Sequence, residues 1–173
     1  MLSKNIEIAL NKQIRIEAES SQIYLSMACW SEVNGLEGIA QFMYAQSDEE
    51  RLHMLKLIKY VNERGGHAQI TDLTAPNTSY ATFKNMFEAL YHHELFVSNS
   101  INELVHITFE EKDYATHNFL QWYVAEQIEE EASAKNILDK INLIGDDKGG
   151  LYLFDRDIQQ VAVANAAAAN AAK

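Results

Sequence analysis

The stretch FKNMFEALYHHELFVSNSINEL, residues 83–104, decides the fold. Phe83, Phe87, Leu90, Glu94, Val97, Ile101 and Leu104 recur at alternating steps of four and three. That spacing marks one face of a helix. Every member of the series is apolar except Glu94, which stands at its centre. A face this apolar has to be buried, so the carboxylate in its middle needs a reason.

Three other segments carry the same interruption. Residues 3–34 place Ile6, Leu10, Gln13, Glu17, Ser20, Tyr24 and Met27 on one face, with Glu17 near the middle. Residues 36–64 place Ile39, Phe42, Gln46, Glu50, His53, Leu57 and Tyr60 on one face, broken by Glu50-x-x-His53. Residues 113–144 give Leu120, Tyr123, Gln127, Glu130, Ala134, Ile137, Ile141 and Ile144, broken by Gln127-x-x-Glu130. Glycines at 35, 65, 66 and 145 supply stops, and Asp113 is placed to cap the last of these helices. The pattern predicts helices over about 3–34, 36–64, 81–110 and 113–144, then a short fifth helix over about 150–163. The Ala/Asn-rich tail, residues 164–173, has no bulky face to dock and is expected to be disordered.

Connection lengths set the topology. The first and third links are a few residues long and make antiparallel neighbours. The link from Gly65 to Tyr80 holds Pro76, the only proline. About sixteen residues extend to roughly 50 Å, and a helix of about thirty residues is roughly 45 Å long. The link therefore returns along the whole bundle. The expected fold is all-α, a four-helix bundle with one long crossover.

Each interruption lies near the midpoint of its helix, and adjacent helices of equal length share a midpoint height. Glu17, Glu50, His53, Glu94, Gln127 and Glu130 therefore converge in one layer. Singly, each has an ordinary reading: a solvated carboxylate, a hydrogen-bonded core histidine, or part of the charge runs Glu49-Glu50 and Glu129-Glu130-Glu131. The coincidence of four midpoints sets those readings aside. Buried, unpaired carboxylates are costly, and no Lys or Arg shares these faces at this height. Either the carboxylates share protons at raised pKa or they hold cations. Two divalent ions would balance four carboxylates, and oxygen ligands with one imidazole suit iron or manganese.

Composition agrees. Apolar residues make up 47% of 173, enough for one well-cored domain over about residues 1–163. A formal net charge of −11 disfavours nucleic acid and favours cations. No apolar run is long enough for a membrane span. Met1–Ala9 lacks the apolar stretch and cleavage site of a secretory leader, so none is expected, and Cys29 is the only cysteine. These features point to a reducing, cytoplasmic setting.

Glu17, Tyr24, Glu50-x-x-His53, Glu94 and Gln127-x-x-Glu130 resemble the pattern of bacterial non-haem ferritins, as does NFLQWYVAEQ at 118–127. The resemblance covers about residues 1–160. It implies a ferritin-like bundle whose di-iron centre oxidises Fe(II) with dioxygen or peroxide. It implies Glu17, Glu50 and His53 on the first iron, Glu50 bridging, and Glu94 and Glu130 on the second. Gln127 would be a hydrogen-bonding neighbour, and Tyr24 an electron or hydrogen-bond donor, although packing accounts for it equally. Glu49, Glu126 and Glu129 resemble the outer residues of a third iron site shared with Glu130. Hydrated ferric oxide stored in a homo-oligomeric shell of twenty-four subunits follows from the same resemblance. The fifth helix would meet its copies at fourfold axes. Leu52 and Met54 do not fit a haem position, so haem is not expected. Two rivals remain at this stage: a di-iron oxidase or peroxidase without storage, and a shell with a degenerate centre.

Overall fold

Five helices follow one another: α1 (Lys4–Val33), α2 (Glu37–Glu63), α3 (Phe83–Glu110), α4 (Tyr114–Ile144) and α5 (Lys148–Ala171). They are seen in a computed structural model that describes the backbone of residues 1–171 and the side chains of residues 1–160. The local chemistry sets their ends. Ser3, Thr82 and Asp113 cap α1, α3 and α4, each side-chain oxygen accepting from the backbone N–H three residues on. Gly35 and Gly65, at φ +73° and +78°, take the left-handed conformation just past α1 and α2, which a Cβ would disfavour.

Inter-helix hydrogen bonds give the register. Along α3, Met86, His93, Ser100 and Glu111 meet Ser31, Ser20, Gln13 and Ser3 on or beside α1. The numbers rise on one side and fall on the other, so α1 and α3 are antiparallel. In the same way Gln46, His53 and Tyr60 on α2 meet Glu130, Tyr123 and Thr116 on α4. The link after α2 climbs α1 from Asn11, which binds the His67 carbonyl, past Glu19 at Thr74, to Ser26 at Asn77. It thereby brings α3 back parallel to α2, as the link length requires.

The core is in two parts. One cluster holds Tyr24, Met27, Ile39, Phe42, Phe87 and Ile141 with their neighbours. The other holds Leu10, Ile14, Leu57, Ile101, Leu104 and Leu120 with theirs. The polar interruptions fall between them on every bundle helix. Helix α5 packs across α2 and adds Phe154 and Ile158 to the first cluster. Its backbone helix runs past the expected end near residue 163, because alanine has the highest helix propensity. The final two residues of the expected tail, and the tail's side chains, lie outside the described residues.

Candidate metal centre

Glu17, Glu50, His53 and Glu94 are all buried, at 1, 2, 5 and 1% exposure. Among the described residues no lysine or arginine is buried. Glu17, Glu50 and His53 each bring a ligand atom within 4.8 Å of the other two. His53 Nδ1 lies 3.6 Å from Glu50 Oε2. On the other side of the layer, Gln127 Nε2 donates to Glu94 Oε2 at 3.3 Å and reaches Ser98 Oγ at 3.2 Å. Gln46 Nε2 lies 3.3 and 3.5 Å from the two oxygens of Glu130.

Two carboxylate oxygens in this layer, Glu50 Oε2 and Glu94 Oε1, are buried with no hydrogen-bond partner. A lone buried acceptor costs about 1–3 kcal/mol, more when charged. A proton or a metal ion removes that cost. The donor set, carboxylate oxygens with one imidazole nitrogen, fits iron.

The electrostatics are those of a site waiting for positive charge. Burial, then the neighbouring Glu50 charge, holds the Glu17 carboxyl well above its ordinary range. Burial pushes Glu94 up to about 7, against the Gln127 hydrogen bond that lowers it. Burial, then the charges of Glu94, Glu50 and Glu49, lift Glu130 to about 8. For His53, burial favours the neutral ring, but Glu50, Glu17 and Glu49 outweigh it and raise the pKa to about 9.

A second group joins Glu49, His53 and Glu126 on the outer side of the same histidine. Glu129, expected with them, is exposed and lines the groove between α4 and α5. Glu94 and Glu130 stand in the layer without completing a three-residue group with Glu17 or His53 among the described residues. Tyr24 is buried on the Glu17 face of α1, edge-on to His93 at 6.0 Å. Trp122 meets the His53 ring edge-on at 5.2 Å, with Lys56 Nζ 3.2 Å over its own ring. Sequence reading gave no part to Lys56 or to the buried Gln13 and Gln46. The signal for the two glutamines was present: each is polar on an inner face, one turn before a core glutamate.

The ferritin-like domain pattern matches residues 7–144, most of the chain. The chain belongs to the ferritin family. Among its relatives, a probable bacterial non-haem ferritin-like protein of Haemophilus influenzae is 48% identical over 91% of this chain and 96% of that one. A bacterial non-haem ferritin of Campylobacter jejuni is 44% identical over 94% of this chain and 98% of that one. The open-pore ferritin of Archaeoglobus fulgidus superposes with a TM-score of 0.91 at 43% identity, over 92% of this chain and 98% of the other. The ferritin fold thus extends here over all four bundle helices and onto α5. No helix among the described residues is long and apolar enough to cross a membrane.

Proposed function

We propose that this ferritin stores iron by oxidising Fe(II) at the mid-bundle layer and holding the Fe(III) product as hydrated ferric oxide inside a homo-oligomeric shell. The observation that carries the reading is the pair of buried oxygens on Glu50 and Glu94 that accept no hydrogen bond, set between two apolar clusters. Iron is the substrate. Glu17, Glu50 and His53 bind one ion; Glu50 reaches the second, which Glu94 and Glu130 hold, with Gln127 beside it. Glu49 and Glu126, with Glu130 about one turn further along α4, hold a third.

Fixed negative charge stabilises Fe(III) over Fe(II), so the layer lowers the barrier to electron loss. Two Fe(II) give one electron each. With two protons they reduce dioxygen to hydrogen peroxide, or hydrogen peroxide to two waters. Tyr24 stands on the same face of α1 to supply a further electron or a hydrogen bond. The ion on Glu94 and Glu130 has only oxygen ligands, a weaker hold that suits transfer to a store. A shell of twenty-four subunits, with α5 at its fourfold axes, completes the proposal.

Dioxygen uptake on adding Fe(II), measured together with particle size, tests it. Rapid uptake by a large shell is expected. Uptake by a small oligomer would instead favour an oxidase without a store. A large shell that leaves the background rate unchanged would favour a degenerate centre.

A further inference from the structure

The reaction uses four glutamates and a histidine and leaves two buried carboxamides without a part. Gln13 is 1% exposed and Gln46 5%. An amide is buried at a cost unless its polar atoms find partners, so their partners are informative. Gln13 Nε2 donates to Glu17 Oε1 at 2.9 Å, and Gln13 Oε1 accepts from Ser100 Oγ on α3 at 2.8 Å. Gln46 lies against Glu130, and Gln127 against Glu94. Three carboxylates thus have one glutamine each, from three different helices. Glu50 has none.

Spacing alone does not produce this arrangement. Gln13 precedes Glu17 by one turn, and Gln46 precedes Glu50 by one turn. Gln13 nevertheless binds the glutamate of its own helix, whereas Gln46 reaches across to α4. Ser100 makes the difference at Gln13. Its hydroxyl donates to the amide oxygen while the amide N–H goes to the Glu17 carboxylate, so both ends of Gln13 are held.

We propose that Gln13, oriented by Ser100, is a positioning residue of the metal site: it pins Glu17 through one oxygen and offers the other to the ion shared with Glu50 and His53. This rests on the functional reading above. The last torsion of a glutamate is broad and roughly two-fold, so a free carboxylate can chelate an ion with both oxygens or turn away. One N–H on Oε1 removes that freedom. Partners of this kind set ligand orientation and typically change metal affinity about 10–100-fold when lost.

Titration of the metal-free protein with Co(II), followed by the visible absorption of the bound ion, tests the role without turnover. Gln13→Leu is expected to weaken the first Co(II) by roughly tenfold and to shift its absorption bands. Ser100→Ala should move both in the same direction by less, with particle size unchanged. The double variant should bind no worse than Gln13→Leu alone, because the hydroxyl acts through the amide. Normal binding by the parent with parental affinity and bands in both single variants overturns the role of Gln13. Should Gln13→Leu fail to fold, Ser100→Ala decides alone, and a parental spectrum rejects the proposal. A parent that takes up no Co(II) at Glu17, Glu50 and His53 overturns the functional reading itself.

Discussion

Asp155 of α5 caps Gly38 at the first turn of α2, its Oδ2 accepting from the Gly38 N–H at 3.2 Å while Oδ1 takes that of Ile39 at 2.9 Å. Leu36, the residue before α2, has no side chain able to do this. The cap is borrowed from a point 117 residues along the chain. A carboxylate there also meets the positive end of the helix dipole. Asp155→Ala should cost about 1–2 kcal/mol, read as a lower midpoint in thermal unfolding, and Asp155→Asn should recover only part of it, because one amide oxygen replaces two carboxylate acceptors. Gly38→Ala should be worse, because its Cβ would fall 1.7 Å from the Asp155 carbonyl oxygen, which is backbone and cannot rotate away. Equal midpoints for Gly38→Ala and the parent would show that α5 does not dock as described.

Glu94→Gln separates function from stability. The change keeps the shape and removes a buried charge whose Oε1 has no partner. Rapid Fe(II) oxidation should fall by more than about tenfold, the lower end of the loss seen when even a ligand's supporting partner is removed. The metal-free protein should gain about 1–3 kcal/mol at pH 8, where the parent must ionise a carboxyl shifted up to about 7. Undiminished oxidation would remove Glu94 from the site.

The metal-free protein should lose stability as pH rises from about 5 to 9. Glu94 and Glu130 have folded pKa values of about 7 and 8 against an ordinary 4.5. His53 stands at about 9 against 6.5. A raised value means that the folded state binds the proton more tightly. Its contribution is complete below the unfolded pKa and is lost as pH passes the folded one. The lowered His93 opposes this, but only below about 6.5. Metal ions replace these protons, so binding should release protons, and affinity should climb over the same range. Unfolding midpoints of metal-free and Co(II)-loaded protein from pH 5 to 9 should therefore diverge. Parallel curves would contradict the assignment.

Trp122 should report occupancy. Its ring is 5.2 Å from that of His53, whereas Trp30, the other tryptophan, packs on Tyr80 at the far end of α1. Co(II) on His53 should quench the Trp122 part of the emission, and Trp122→Phe should abolish that response. Quenching that survives in Trp122→Phe would place the ion elsewhere.

Tyr123 ties two helices at the same level. Its hydroxyl donates to the His53 carbonyl at 2.8 Å inside the core. Tyr123→Phe leaves that oxygen without its donor and should cost about 1–2 kcal/mol in denaturant unfolding. A change within error would mean that water replaces the hydroxyl.

The helices, their antiparallel pairing and the polar layer were written in the chain itself. Helical periodicity puts Glu17, Glu50, Glu94 and Glu130 on buried faces, and link lengths bring their midpoints to one height, so local spacing suffices for both. What spacing could not give is which atom meets which. The two glutamines at positions 13 and 46 have identical sequence relations to Glu17 and Glu50, yet bind differently, and the partners that hold them, Ser100 for one and Glu130 for the other, sit on other helices. Nor could it place Glu129 toward α5, or send Asp155 to cap α2. Hydrogen bonds act over about 3 Å, and their partners here are separated by up to more than a hundred residues of chain. Only the packed structure decides them.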